Sequence, residues 1–507
     1  MLLADLLRPL GIAVPAGGER EISGIAYDSR RVQPGGLFVA IPGFHVDGAA
    51  FVGDACARGA AAVVLDELAL PAAATTAAAA GVPLFGVADP RAALATLSAC
   101  WFGYPARDLV TIGVTGTDGK TTTCYLTSSL LEAAGFRTGL FTTVAYKVGG
   151  QWEENESRQT TPEALEVQQL LRRMADAGVG HALLESTSHG LELHKLDHCE
   201  YDIAVFTNLS PDHLDFHGTV EAYAAAKARL FAMLDTSRQK GAPKLAVLNA
   251  DDPHWQQMAN ATSGRRLTYA LDAPADLRAV AIDLQADGSE LRIASPAGPI
   301  EARLNLPGRF NVANALAAAA VALGLDVPAE AVGEALSRAS GVPGRMQRID
   351  TGQPFTVIVD YAHTAASFQK VLDTLRPLTR GRLIAVFGCA GERGAERRSG
   401  MGTVAARSAD YAVLTSEDPR EEDPAAIIAE IAAAMAAAGA PEGQRFERIV
   451  DRREAIGRAF ALAGAGDVVL LTGKGHEHSI QTARGSIPWD EAAVATELLR
   501  GAAPAGD

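Results

Sequence analysis

The stretch Val114-Thr115-Gly116-Thr117-Asp118-Gly119-Lys120-Thr121-Thr122 decides the reading of this chain. It follows the apolar run Leu109 to Val114, which reads as a buried strand. It precedes a helical pattern with Leu126, Leu130 and Leu131 on one face. Strand, glycine turn, Lys-Thr and helix form the architecture of a phosphate-binding loop. Gly116 and Gly119 let backbone N–H groups close around phosphate oxygens, and the helix N-terminus adds positive potential. Lys120 reaches the terminal phosphates and a threonine hydroxyl reaches Mg²⁺. The plain alternative is a glycine turn joining a strand to a helix, which would not need Gly-Lys-Thr at that junction. A nucleoside triphosphate ligand, ATP or GTP, is therefore expected. The usual loop has four residues between its first glycine and Gly-Lys; here Thr117 and Asp118 alone separate Gly116 from Gly119.

Composition sets the outer bounds. A length of 507 residues suggests about three domains, and 48% hydrophobic residues suffice for large cores. A net charge of −15 argues against a nucleic-acid surface. The five cysteines, Cys56, Cys100, Cys124, Cys199 and Cys389, form no closely spaced pair, so neither a disulfide framework nor a zinc site is expected. Asp5 and Arg8 interrupt the apolar N-terminus, which reads as a short amphipathic helix and not a signal peptide. No uncharged apolar run is long enough to span a membrane. A cytoplasmic location follows as an expectation.

Three blocks follow along the chain. Residues 1–105 hold short strands and a helix, including Ile25–Arg30, Leu37–Ile41 and Ala61–Leu65; the alanine-rich Pro71–Ala80 reads as a surface helix or loop. Residues 106–343 alternate strands (Ala182–Glu185, Ile203–Thr207, Leu245–Leu248) with helical patterns (Glu163–Ala177, Val220–Leu234), which predicts a mostly parallel sheet covered by helices. Residues 344–507 repeat the alternation around Thr356–Val359, Leu383–Phe387, Tyr411–Leu414 and Val468–Leu471 and read as a second doubly wound α/β domain. Ligands of such sheets gather beyond the carboxyl ends of the strands. Asp360, Gly388–Arg398, Ser416–Arg420 and Gly473–Glu477 all fall there.

Glu185 ends an apolar strand in the same block as the phosphate loop, a place suited to holding Mg²⁺; a turn or capping role is the plainer alternative. Asp212 and His213 sit in the crowded Thr207–Gly218 segment and are candidates for metal or phosphate contact. Lys227 lies among alanines on a helical pattern, where a lysine ordinarily faces solvent.

The compact loop, Gln159-Thr160-Thr161-Pro162, Glu185-Ser186-Thr187-Ser188-His189-Gly190-Leu191, Thr207-Asn208-Leu209 with Asp212-His213-Leu214-Asp215-Phe216-His217-Gly218, Leu306–Asn311, Asp360–Thr364 and Gly473–Glu477 occur together in one order. In that order the chain resembles the tripeptide-forming branch of the Mur ligase family along essentially its whole length; Asp28-Ser29-Arg30 fits as well. The resemblance implies an α/β fold of three domains: an N-terminal UDP-binding domain, a central P-loop ATPase domain with a mostly parallel sheet, and a C-terminal Rossmann-like domain that takes the amino acid. It implies ATP-dependent amide formation through an acyl phosphate, with UDP-N-acetylmuramoyl-L-alanyl-D-glutamate and a diamino acid as substrates and a monomer as the working form.

By the same resemblance, Lys120, Thr121 and Thr122 hold the β- and γ-phosphates within the loop Gly116, Thr117, Asp118 and Gly119. Asn311 and Arg345 contact the nucleotide, Asp360 its ribose, and His363 lies near the phosphates. Lys227 is carbamylated to N6-carboxylysine and, with Thr121, Glu185 and His213, supports Mg²⁺. Ser29, Thr160, Thr161, Thr187 and Lys195 bind the UDP-sugar dipeptide; Lys195 stands where many members have arginine. The amino acid is held by Arg393, Glu417, Asp418, Pro419, Arg420, Gly473 and Glu477. Diaminopimelate-adding members carry Asp-Asn-Pro-Arg where this chain has Glu417-Asp418-Pro419-Arg420. Arg420 favours diaminopimelate, whereas Asp418 offers an acid that could receive the distal ammonium of lysine or ornithine. Two other classes stay open from the residues: another ATP-dependent amide ligase of polyglutamate or cyanophycin type, and a nucleotide-binding scaffold without turnover.

Overall fold

The computed structural model describes residues 1–13, 20–43, 46–155, 160–392 and 394–502. The chain forms two compact units. Unit 1 is Met1–Leu277 with Ala317–Val327; unit 2 is Arg278–Leu316 with the chain from Pro328 onward.

Unit 1 opens with the short helix Leu3–Leu7, whose Leu3, Leu6 and Leu7 are buried. A four-stranded parallel sheet follows: β1 (Ile25–Ala26), β2 (Leu37–Val39), β3 (Ala62–Asp66) and β4 (Leu84–Val87), paired in that order. The alanine-rich stretch is the helix Leu70–Ala79. Asp89 caps the helix Pro90–Trp101 by accepting from the N–H groups of Arg91 and Ala92, and Pro90 sits at its first turn, where no N–H is missed.

The larger sheet of unit 1 contains β5 (Val110–Thr115), β6 (Thr138–Phe141), β7 (Ala145–Val148), β8 (Gln151–Glu154), β9 (His181–Glu185), β10 (Ile203–Phe206), β11 (Leu245–Asn249) and β12 (Arg265–Ala270). Their spatial order is β12-β11-β10-β5-β9-β6-β7-β8. Pairing is parallel from β12 to β6 and turns antiparallel through β7 and β8. The parallel strands read as continuous apolar runs because helices cover both faces. Leu184, Phe206, Leu230, Phe231 and Leu248 pack into one core at 0% exposure, each side chain contributing about 1.5–3 kcal/mol by burial. Helices Lys120–Ala133, Ala164–Asp176 and Val220–Thr236 agree with the sequence periods to within a few residues.

Unit 2 begins with an antiparallel meander of β13 (Leu277–Gln285), β14 (Gly288–Ala294) and β15 (Ile300–Leu304). No strand was expected here from the sequence. β14 alternates buried and exposed positions, a half-covered pattern unlike the all-apolar runs of the parallel strands. The second sheet comprises β16 (Gln347–Ile349), β17 (Thr356–Asp360), β18 (Leu383–Phe387), β19 (Tyr411–Leu414), β20 (Phe446–Arg448) and β21 (Val468–Thr472), in the order β16-β17-β21-β18-β19-β20. It is parallel except for β16 against β17. A hairpin, β22 (Ser479–Thr482) with β23 (Gly485–Pro488), follows β21. The non-consecutive neighbours β17-β21-β18 create the crevice at which doubly wound sheets bind ligands.

Candidate active site

In unit 1 the phosphate loop leaves the carboxyl end of β5. Gly116 adopts φ +153°, and a Cβ there would lie 1.8 Å from Thr207 Oγ1, so no side chain fits. Gly119, at φ +84°, turns the chain into the helix Lys120–Ala133. The loop is pinned by the segment after β10. Thr117 N–H donates to Asn208 O at 2.9 Å, Asp118 N–H donates to Asn208 Oδ1 at 2.9 Å, and Thr207 Oγ1 donates to Asp118 O at 2.7 Å. Lys120 folds over the loop, with Nζ donating to Thr117 O at 2.8 Å and Gly116 O at 3.1 Å.

Glu185, 2% exposed at the end of β9, gathers donors on one oxygen. Its Oε2 accepts from Thr121 Oγ1 at 2.9 Å, Thr143 N–H at 2.9 Å and Thr143 Oγ1 at 3.1 Å. From there a chain of hydroxyls runs outward. Thr143 Oγ1, its proton on Glu185, lies 3.1 Å from Thr160 Oγ1, which can donate to it, while Thr161 Oγ1 donates to the Glu185 carbonyl and lies 2.8 Å from Thr187 Oγ1. Lys195 Nζ pairs with Glu163 Oε1 at 2.9 Å and lies 3.4 Å from Thr161 O. Arg91 reaches the other oxygen of Glu163 at 3.3 Å.

Lys227 is 1% exposed, contrary to the usual fate of a helix lysine. Its Nζ donates to Gly116 O at 2.7 Å and lies 4.2 Å from the Tyr223 ring centroid. Burial first, and the Lys120 ammonium second, hold its pKa well below the ordinary lysine range. His213 sits at φ +52° before the short helix Leu214–His217, with its side chain half exposed. Its ring lies 4.8 Å from that of His189, whose pKa burial pushes down to about 4. Ser29 is buried in the turn Ser29–Arg31, which Asp28 caps.

In unit 2 the residues beyond β17, β19 and β21 converge. Asp360 is buried and accepts from the N–H groups of Met346 and Ala362, both at 2.8 Å; burial raises its pKa against the pull of Arg345. Arg345 lies over the Tyr361 ring, its Cζ 5.0 Å from the centroid, and its buried Nε has no hydrogen-bond partner among the described residues. Asn311 donates from Nδ2 to Pro307 O at 2.8 Å, and His363 Nδ1 lies 3.0 Å from Tyr361 O. Glu417 is 4% exposed, and burial pushes its carboxyl up to about 7 despite Arg452, Arg397 and Lys474. Asp418 Oδ1 accepts from Lys474 Nζ at 2.8 Å and Gln481 N–H at 2.9 Å. Glu477 Oε2 accepts from the same ammonium at 2.6 Å. Arg420, at φ +53°, pairs with Glu392 at 3.3 Å.

The Mur ligase family, catalytic domain matches residues 21–101, the Mur ligase middle domain residues 114–322, and the Mur ligase, glutamate ligase domain residues 344–475. A UDP-N-acetylmuramyl-tripeptide synthetase of Roseiflexus sp. (strain RS-1) is 52% identical over 487 residues, 94% of each chain. The chain belongs to the Mur ligase family. A UDP-N-acetylmuramoyl-L-alanyl-D-glutamate–2,6-diaminopimelate ligase of Streptomyces coelicolor is 44% identical, over 98% of this chain and 96% of the relative. A solved structure described by that same enzyme name aligns over 99% of both chains at TM-score 0.71 and 32% identity. A Mycobacterium tuberculosis folylpolyglutamate synthase shares the fold at TM-score 0.57 and 20% identity, over 76% of this chain and 92% of that one.

Within this Mur ligase, unit 1 joins Gly116, Lys120, Thr121, Thr160, Thr161, Glu185, Thr187, Lys195 and Lys227 through the contacts above. Unit 2 joins Glu417, Asp418, Gly473 and Glu477, with a Cβ at Gly473 falling 3.1 Å from Glu417 Oε2. Arg393 lies outside the described residues, as does Gln159 of its motif. The sequence reading assigns no role to Thr143 or to Lys474, both of which contact site residues. Thr143 follows the carboxyl end of β6, beside β9, so strand order would have found it. Lys474 is quoted in its glycine motif, but its partner Asp418 lies 56 residues earlier, a separation that no local pattern reveals.

Proposed function

We propose that this chain is an ATP-dependent amide ligase that joins meso-diaminopimelate to UDP-N-acetylmuramoyl-L-alanyl-D-glutamate in the making of peptidoglycan precursors. The observation that carries this reading is the buried Lys227 amine against the first glycine of the phosphate loop. Burial works against the charge of this lysine, and no carboxylate among the described residues lies within ion-pair distance of its Nζ, which has only the Gly116 carbonyl and the Tyr223 ring beside it. The same burial favours the neutral amine, the form that attacks CO₂. The product is a carbamate, with one proton released, so the side chain changes from cation to anion beside the loop.

Lys120, at the loop, and the N–H groups opening the helix Lys120–Ala133 receive the ATP phosphates. A carboxylate oxygen of the D-glutamyl side chain attacks the γ-phosphorus and ADP departs, leaving an acyl phosphate. The incoming amine, after losing a proton, attacks the acyl carbon; the C–N bond forms and inorganic phosphate leaves. Thr160, Thr161, Thr187 and Lys195 orient the sugar-dipeptide, and the hydroxyl chain from Thr121 to Thr160 links its position to that of the nucleotide. Thr121 Oγ1 and Glu185 Oε2, with Lys227 once carbamylated and His213, offer the hard donors that Mg²⁺ takes and would hold it. The chemistry a bound Mg²⁺ would supply there is charge neutralisation between two approaching anions.

Domain limits of 1–105, 106–343 and 344–507, a monomer as the working form and a cytoplasmic location belong to the same proposal. No helix among the described residues is long and apolar enough to cross a membrane. Phosphate release from ATP, measured with the nucleotide dipeptide and each of diaminopimelate, ornithine and lysine in turn, tests the reading. Release that requires both the dipeptide and diaminopimelate supports it, and release that is the same with neither present excludes it.

A further inference from the structure

Two loops of unit 2 meet over a single buried ammonium. Glu417 and Asp418 follow β19, Lys474 and Glu477 follow β21, and β18 separates the two strands. The Lys474 side chain is 0% exposed, and its Nζ donates to Asp418 Oδ1 at 2.8 Å and to Glu477 Oε2 at 2.6 Å. Asp418 is largely buried, its side chain 12% exposed, and Glu477 is the more open of the two at 33%. Asp418 Oδ1 also accepts from Gln481 N–H, which ties the β22–β23 hairpin to the same point. Glu417 Oε2 is buried beside Gly473 without a hydrogen-bond partner among the described residues.

We infer that Lys474 is a specificity-determining residue, the internal counter-ion that sets how much negative charge the amino-acid subsite shows to the far end of its ligand. The inference rests on the function proposed above. With Lys474 present, Asp418 and Glu477 share one positive charge. Without it both acids lose their directly bonded cation, and the buried Arg452, itself paired with Glu491, is the cation still acting on Asp418, in a setting where Coulomb terms are far larger than in water. The far end of diaminopimelate carries an ammonium and a carboxylate and sums to zero. The far end of lysine carries an ammonium alone. Added negative charge in the subsite therefore favours lysine over diaminopimelate, and removed negative charge does the reverse. Asp418, in this arrangement, is held by Lys474 and does not serve as a free acceptor for a lysine ammonium. A purely structural strut would behave differently, since its loss would lower the use of both amino acids in proportion.

The test compares kcat/KM for diaminopimelate and for L-lysine in the full-length enzyme and in Asp418→Asn, Lys474→Met and the double variant, with the poorer amino acid measured as a competitive inhibitor of the better. Asp418→Asn keeps a carbonyl acceptor for Lys474 and Gln481 N–H while removing one negative charge. It should raise the diaminopimelate-to-lysine ratio about threefold or more, and Lys474→Met should lower it about tenfold, the scale of one charge-assisted contact. The double variant should return close to the starting ratio. Shifts of the same sign in both single variants, or ratios unchanged within about twofold, overturn the inference. If Lys474→Met does not fold, Lys474→Gln, which removes the charge and keeps a donor for Asp418 and Glu477, takes its place: a lowered ratio supports the inference, and an unchanged or raised one overturns it. An unmodified enzyme that ligates neither amino acid to the nucleotide dipeptide overturns the functional reading itself, a result distinct from all of these.

Discussion

Lys227 donates from Nζ to the carbonyl oxygen of Gly116 at 2.7 Å, across 111 residues of sequence. The contact brings the helix Val220–Thr236 against the first glycine of the phosphate loop. Lys227→Ala should cut phosphate release to a few thousandths or less, with the fold retained. Short carboxylic acids added to that variant should recover part of the activity by taking the place of a carbamate. Removal of CO₂ from the buffers should slow the unmodified enzyme, and added bicarbonate should restore it. Full activity in Lys227→Ala would exclude the role.

Gly116→Ala places a methyl group 1.8 Å from Thr207 Oγ1 in a backbone conformation that suits glycine. It should lower stability by about 1–3 kcal/mol and raise the KM for ATP. Thermal denaturation with and without ATP reads both effects.

Glu417 gives a pH dependence with a definite sign. Its carboxyl is raised from 4.5 to about 7 in the folded protein, chiefly by burial. Between those values the folded state holds a proton that the unfolded chain has released, so this group's contribution to stability falls as pH rises from about 4.5 to 7. Glu417→Gln cannot ionise and escapes the loss. The difference in Tm between Glu417→Gln and the unmodified protein should therefore move in favour of the variant between pH 5 and pH 8, with ~3 kcal/mol as the upper bound. A difference that does not change with pH would contradict the assignment.

Arg452 and Glu491 form a buried pair, with Nε to Oε2 at 2.9 Å and side chains 1% and 0% exposed. Arg452 also donates to Thr472 O at 2.9 Å and Ser416 O at 3.1 Å, which ties together the loops after β19 and β21. Glu491→Ala leaves the guanidinium uncompensated and should cost about 3–5 kcal/mol. Denaturant unfolding would show it as a lowered midpoint.

The phosphate loop and Glu185 are legible in the sequence because their signals are local: an apolar strand, glycines at its end and a helix after it. The parallel strands are legible for the same reason, each being a short apolar run between helices. β13, β14 and β15 are not, because one-sided alternation such as that of Gly288–Ala294 is a weaker mark than an all-apolar run. Lys227 looks like a solvated lysine among alanines until the fold buries it; the family resemblance, and no local pattern, singles it out. Asp418 invites a ligand role in sequence, and only the position of Lys474 reveals the partner it already has.

The most direct test of the central claim is ATP-dependent phosphate release by the purified enzyme in a two-by-two design, with UDP-N-acetylmuramoyl-L-alanyl-D-glutamate and meso-diaminopimelate each present or absent. The account predicts sustained release only when both are present, with one tripeptide nucleotide formed per phosphate. Equal release in all four mixtures, or ligation that proceeds without the nucleotide dipeptide, would contradict it.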